Sequence, residues 1–164
     1  MKKPIRIVAL EDIPRANDVP IENLAGVFCL MNQMESLCSE QNGVGFSAPQ
    51  AGMPWKLFVI KRRDSFEYYL NCEYQGISEK GKSIEGCLSL RDEDGSLRRF
   101  EVERYKSIRV KGKQLKIVDS KLTFEDVDQI ENGLISIIFQ HEIDHFEGRD
   151  KMIDRVGLEI ELTR

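Results

Sequence analysis

The sequence predicts an α+β fold, in which mixed or antiparallel strands surround a central buried helix and an N-terminal helix packs on the outside. Three observations predict it: an amphipathic helical pattern near the N-terminus, a series of short β-patterned segments, and a final apolar helical pattern. Helices at both ends of a run of strands are typical of α+β domains. With 164 residues the chain is long enough for a hydrophobic core, so we expect residues 1–164 to form a single domain.

The first helix is expected over residues 21–40. Leu24, Val27, Met31 and Met34 recur at helical spacing, with polar residues between them. A proline directly before the segment suits a first helical turn. The Gln-Asn-Gly sequence that follows residue 40 ends the helix.

A glycine-rich loop is expected over residues 43–52, because its glycines and its proline interrupt regular structure. The Asp64-Ser65 pair then predicts a hairpin, and the Gly112-Lys113 pair predicts a tight turn between two later strands. The expected strands cover residues 56–61, 66–71, 84–90, 100–105, 106–111 and 114–118.

The second helix is expected over residues 134–146, with Asn132 capping its start and Gly148 ending it. It is apolar nearly all round, which is typical of a helix in the middle of a protein. We expect no long C-terminal helix after it, since residues 156–162 alternate like a short strand.

Composition excludes several classes of partner. The formal net charge is −4, and the basic stretches are too short for the clustered face of a nucleic-acid-binding protein. The basic residues 1–4 are followed by an apolar run too short for a secretion signal, and no segment has the length of a membrane span. We therefore expect a cytoplasmic protein that binds neither nucleic acid nor membrane.

The second helix contains the sequence His-Glu-Ile-Asp-His at residues 141–145. A spacing of four places His141 and His145 on one helix face, where both can bind one metal ion and Glu142 can reach a water molecule beside it. The alternative is a pair of hydrogen-bonded core histidines. Burial of these groups without a metal would cost roughly 1–3 kcal/mol for each unpaired polar group, which favours a metal site.

A third metal ligand must come from elsewhere, because the chain has only two histidines. The sequence Glu-Gly-Cys-Leu-Ser at residues 85–89 makes Cys87 the best candidate, since a thiolate is a good ligand for zinc or ferrous iron. The rival ligands are Glu159 and Glu161, and the alternative for Cys87 itself is a small buried hydrophobic residue. Gln50, at the end of the glycine-rich loop, is able to donate from its amide to a developing oxyanion.

The three segments together resemble the peptide deformylase family. The family pattern is Gly-Φ-Gly-Φ-Ala-Ala-Pro-Gln, then Glu-Gly-Cys-Φ-Ser, then Gln-His-Glu-Φ-Asp-His, where Φ is apolar. The corresponding segments here are residues 43–50, 85–89 and 140–145, in the same order and at similar separations. The resemblance extends over roughly residues 19–154.

The resemblance implies that Cys87, His141 and His145 bind one divalent metal ion. This ion would be ferrous iron in the cell, and zinc, nickel or cobalt in a purified sample. It further implies that Glu142 takes a proton from water and later delivers it to the leaving amine. The Gln50 side chain and the Leu88 backbone N–H would stabilise the oxyanion.

The implied substrate is a newly made polypeptide that begins with N-formylmethionine and is met at the ribosome, and the products are formate and a free amine. Gly45 would bond to the substrate backbone, and Val44, Ile138 and His141 would line an apolar pocket for the methionine side chain. Arg104 resembles a family arginine near the substrate. We expect a monomer in the cytoplasm, or in the host cytoplasm for a phage-encoded member.

The chain departs from the family pattern in several places. Ser47 stands where alanine is usual, and Cys72 stands where proline commonly follows Asn71. The polar residues 90–95 replace a short proline-containing link. The chain ends 19 residues after His145, which resembles organelle-type or phage-encoded members.

Two other functions remain open at this point. One is an H-E-x-x-H metallopeptidase with a carboxylate as third ligand. The other is a structural zinc site in a binding module, which needs a fourth protein ligand; Cys72 is the candidate.

Overall fold

The computed structural model describes residues 4–22 and 24–148. Helix α1 spans Leu24–Glu40, and helix α2 spans Gly133–Asp144. The strands between them are β1 (Gly45–Ser47), β2 (Leu57–Arg62), β3 (Ser65–Gly76), β4 (Lys80–Arg91), β5 (Leu97–Tyr105), β6 (Ser107–Val118) and β7 (Lys121–Asn132). The predicted α+β class is confirmed.

The strands form two antiparallel sheets. One has the order β1-β2-β3-β6-β7, and the other is the β4-β5 pair. Helix α2 packs against strands of both sheets, and all its residues from Ile138 to Asp144 are buried. The prediction of a central buried helix is therefore confirmed, because the half of the helix that carries the motif is covered by protein, although Leu134 in its first turn is 68% exposed.

Helix α1 packs on the outside, against β1 and β2. Its fully buried Met34 and Cys38 join a core with Phe46 and Leu57, while Asn32 and other polar residues of the helix face solvent. Burial of one stripe of an amphipathic helix is the arrangement that its sequence pattern predicts. A second core surrounds α2 and is rich in aromatic side chains: Phe58, Tyr69, Phe139 and Phe146 contact one another.

The prediction of a tight turn at Gly112-Lys113 was wrong. The two strands predicted over residues 106–118 are one continuous strand, β6 (Ser107–Val118), and Gly112 in the middle of this strand pairs with Val127 of β7. A Cβ on Gly112 would lie only 2.4 Å from the Cys72 sulfur, so this glycine provides space rather than a turn. Strand β7 was not predicted, because its many charged residues hide the β pattern of an edge strand.

The glycine-rich segment is more regular than expected. Gly45–Ser47 form β1, which pairs with β2, and Ala48–Ala51 form a 3-10 turn. At α2, Asn132 has the extended backbone of an N-cap, but its side chain accepts a hydrogen bond from Ser107 Oγ at 2.6 Å instead of capping the helix. The helix then tightens into a 3-10 turn that Gly148 ends, with a φ of 81°.

Residues 149–164 lie outside the described residues, and so do the predicted strand at 156–162 and the rival ligands Glu159 and Glu161. Within the described part of the chain, neither helix combines the length and the apolar character needed to cross a membrane.

Candidate metal centre

Two elements from distant parts of the chain bring three predicted ligands together. Helix α2 presents His141 and His145 on one face, and β4 presents Cys87 opposite them. The candidate ligand atoms of these residues all lie within 4.8 Å of one another, and all three residues are buried. The Cys87 sulfur is 3.5 Å from His145 Nε2.

This donor set fits a divalent metal ion. One thiolate and two imidazoles suit zinc or ferrous iron, and three protein ligands leave a coordination position open for chemistry. Cys72 does not join them, because its thiol contacts the Leu70 carbonyl oxygen in the sheet at 3.5 Å. The structure therefore gives no support to a closed structural zinc site made with Cys72.

Glu142 lies beside the ligands and is 4% exposed. Within residues 4–22 and 24–148, no donor reaches its Oε2 atom. Burial raises the pKa of the Glu142 carboxyl to about 7, although His141 opposes the shift. A buried oxygen left available for a proton beside a metal-binding cluster is what a general base requires.

Gln50 is held with its amide nitrogen toward the cluster. Its Oε1 accepts hydrogen bonds from the Ser47 backbone N–H at 3.0 Å and the Ser47 hydroxyl at 3.2 Å, in a reciprocal capping box. Its Nε2 then points to the Cys87 sulfur at 3.4 Å and to Ser89 Oγ at 3.5 Å. The Ser-x-x-Gln spacing is the sequence signal that could have identified Ser47 as a residue that orients Gln50.

A cleft of about 320 Å³ opens in front of the cluster. Val44 is 52% exposed at its mouth, whereas Ile138 is 6% exposed and closes its apolar floor. The cleft thus combines an apolar surface for a side chain with polar groups for the reaction. The predicted residues that line it are Val44, Gly45, Gln50, Leu88, Ile138, His141 and Glu142.

Arg104 lies elsewhere than predicted. It is 2% exposed and is not part of the cleft lining. Its Nε and Nη2 bond to the two oxygens of Glu85 at 2.9 and 2.8 Å, and its Nη1 bonds to Asp144 Oδ2 at 2.6 Å. Because Nε, Nη1 and Nη2 each bond to a buried carboxylate and the residue lies outside the described cleft lining, the structure does not support a contact between Arg104 and substrate.

The hydrogen-bond network of Arg104, Glu85 and Asp144 also holds His141, one of the candidate metal ligands. His141 Nδ1 lies 2.9 Å from Glu85 Oε1, which leaves the other ring nitrogen for a metal. Burial alone would raise the pKa of Glu85, but hydrogen bonds from Arg104 and His141 outweigh it and lower the pKa to about 2. Tyr74 completes the network by donating to Asp144 Oδ1 at 2.9 Å, a contact that no local sequence pattern indicates.

The comparisons with known proteins agree with this geometry. The sequence profile of the polypeptide deformylase family matches residues 14–157. Among similar proteins, the peptide deformylase of Syntrophomonas wolfei is 32% identical over 145 residues, which cover 87% of this chain and 86% of that protein. Peptide deformylase 1 of Vibrio vulnificus is 32% identical over 143 residues, with 82% and 75% covered.

Solved structures are similar as well. The peptide deformylase of Thermotoga maritima superposes with a TM-score of 0.75 at 26% identity, covering 95% of this chain and 99% of that one. A class I type b peptide deformylase from Acinetobacter baumannii gives a TM-score of 0.72 at 26% identity, with 90% and 95% covered. The profile and the relatives cover most of the chain, including all three motifs, and this chain therefore belongs to the polypeptide deformylase family.

Proposed function

We propose that this protein removes the formyl group from N-formylmethionine at the start of new polypeptides, and that the residues around the cleft perform the reaction. The observation that supports this proposal most strongly is the grouping of Cys87, His141 and His145 beside the buried Glu142 and the oriented Gln50. Water attacks the formyl carbon, a C–O bond forms, the C–N bond breaks, and formate and a free amine leave.

Each residue has a distinct part in this reaction. Glu142 takes a proton from the attacking water and gives it to the leaving nitrogen, as one general acid–base group. The Gln50 amide and the Leu88 backbone N–H donate hydrogen bonds to the negative oxygen that develops on the formyl group. Gly45 bonds to the substrate backbone, and Val44 and Ile138 contact the methionine side chain.

Cys87, His141 and His145 would hold the metal ion, and the ion would supply Lewis-acid chemistry, which polarises a carbonyl group and lowers the pKa of water. We propose ferrous iron in the cell, with zinc, nickel or cobalt in purified samples. The mixed sulfur and nitrogen donors are compatible with each of these metals.

The substrates are N-formylmethionyl polypeptides, and we propose that the protein meets them in the cytoplasm as they emerge from the ribosome. A monomer is the proposed working form, because the cleft described above is lined by residues of one chain. The metallopeptidase alternative is not favoured, since the Cys87 sulfur lies beside the candidate ligand atoms of both histidines and the chain belongs to the polypeptide deformylase family.

The direct test is formate release from formyl-Met-Ala-Ser by the metal-loaded protein. Glu142→Gln should lower kcat by about 10²–10⁴-fold, because proton transfer is lost while the size of the side chain is kept. Metal content should not change. The matched control is Glu79→Gln, which alters an exposed glutamate paired with Lys106. Full activity of Glu142→Gln would contradict the mechanism, and peptide cleavage without formate would contradict the function.

A further inference from the structure

Arg91 makes three hydrogen bonds at the rim of the cleft. It lies in the polar segment that replaces the usual link after the second motif. Its Nε donates to the Leu88 carbonyl oxygen at 3.3 Å, its Nη1 to the Gly95 carbonyl oxygen at 2.8 Å, and its Nη2 to Gln41 Oε1 at 2.8 Å. All three acceptors are uncharged oxygens. The planar guanidinium therefore links three segments of the chain, those of Leu88, Gly95 and Gln41, by hydrogen bonds.

The contact with Leu88 lies where the strand pairing is interrupted. The register of β4 and β5 is regular up to the pair Gly86–Arg99, shifts, and resumes at the pair Arg91–Leu97. Leu88 falls inside this irregular stretch. Arg91 fixes the backbone of that stretch from one side, and through Gly95 it closes the turn that leads into β5.

The contact with Gln41 reaches the opposite wall of the cleft. Gln41 follows α1 directly, and it lines the cleft together with residues of β4, Leu88 among them. The two walls approach each other here, since a Cβ on Gly43 would lie 3.2 Å from the Leu88 side chain. Arg91 lies outside the described lining of the cleft, so it acts through these neighbours and not on the substrate.

We propose that Arg91 is a positioning residue for deformylation, which holds the Leu88 segment in place and fixes the distance between the two walls of the cleft. This inference rests on the proposed function. Loss of the Leu88 contact should lower kcat, because an oxyanion donor must be placed within a few tenths of an ångström. Loss of the Gln41 contact should raise KM, because the walls are then free to separate.

The test is a double-mutant cycle that measures kcat and KM for formate release from formyl-Met-Ala-Ser. Arg91→Ala should lower kcat/KM by about tenfold, through both constants, whereas Gln41→Ala should raise KM and leave kcat unchanged. The double variant should be no worse than Arg91→Ala, because the Gln41 change removes a contact that Arg91→Ala has already removed. Arg91→Lys should resemble Arg91→Ala, since an ammonium group cannot span three acceptors.

The matched control is Arg109→Ala, which removes an exposed arginine paired with Asp128 on β6 and β7. The proposal would be overturned if the effects of Arg91→Ala and Gln41→Ala on kcat/KM were additive. It would also be overturned if Arg91→Ala had the same kcat and KM as the control. Melting temperature and metal content are measured for each variant, and a fall in kcat/KM that disappears when the rates are expressed per folded, metal-loaded protein would show a merely structural role and overturn the proposal. Formate release by the wild type with any of these results leaves the proposed function standing; no release from the wild type overturns both.

Discussion

At the scale of single residues, the position of the candidate base Glu142 depends on the absence of a side chain at the neighbouring Gly45. A Cβ built on Gly45 would lie 2.6 Å from Glu142 Oε1. A side chain at position 45 is thus incompatible with the present position of the carboxylate. The sequence motif has a glycine there, and the structure supplies the physical reason: the backbone of β1 and the Glu142 carboxylate lie too close together for a side chain between them.

We expect Gly45→Ala to lower kcat by about 10²-fold, because Glu142 must move by a fraction of an ångström to an ångström from its working position. Stability should fall little, since the displaced group is the end of a flexible side chain. Steady-state kinetics and thermal unfolding measure the two effects. The control is Gly81→Ala, whose Cβ would make an ordinary contact of 3.4 Å with Lys106; equal kinetics for the two variants would contradict the expectation.

At the scale of secondary structure elements, β4, β5 and α2 are joined behind the ligands by buried charges. Arg104 of β5 bonds to Glu85 of β4 and to Asp144 of α2. A guanidinium that is 1% exposed is tolerated because both neighbouring carboxylates pair with it. The network fixes the angle at which α2 presents His141, so it links the packing of three elements to one metal ligand.

We expect Arg104→Met to destabilise the protein by about 3–5 kcal/mol, because it leaves two buried carboxylates without their partner. The affinity for metal should fall by about 10–100-fold as His141 loses its support. Urea unfolding and competition with a coloured chelator measure these effects. The exposed Arg109→Met change is the control and should alter both quantities little; an Arg104→Met protein that resembles it would refute this role of the network.

At the scale of the whole molecule, the site lies where two sheets and one helix meet. The core beneath α1 positions β1 with Gly45, and the aromatic core around α2 positions the histidines. Among the described residues, two buried side-chain atoms at this junction, Glu142 Oε2 and His145 Nδ1, have no hydrogen-bond partner within the protein, and the candidate ligand atoms of Cys87, His141 and His145 lie together. The metal should therefore stabilise the fold as well as supply the chemistry.

We expect removal of the metal to lower the melting temperature by about 5–10 °C. At a metal concentration about 100 times the Kd, binding contributes about 2.7 kcal/mol, and each kcal/mol shifts the melting temperature of a chain of this size by about 2–4 °C. Differential scanning fluorimetry with and without a chelator measures the shift. Glu142→Gln should keep the shift and Cys87→Ser should lose most of it; a wild-type protein indifferent to the chelator would disprove metal binding at the folded site.

The sequence by itself determined what depends on local spacing and residue identity. Helical periodicity placed His141, Glu142 and His145 on one turn of a buried helix, and the motif resemblance selected Cys87 and Gln50. These inferences need no knowledge of the rest of the chain, since the geometry of one helical turn is the same in any protein.

Only the tertiary structure decided what depends on contacts between distant segments. It showed that Gly112 makes room for Cys72 within a long strand, that β7 pairs at the sheet edge, and that Arg104 faces the ligands from behind. Strand pairing and burial of a charge are set by partners tens of residues away. No local sequence pattern predicts whether a side chain such as Arg104 will face the cleft or the interior behind it, because its neighbours are determined by how the sheets and the helix pack together.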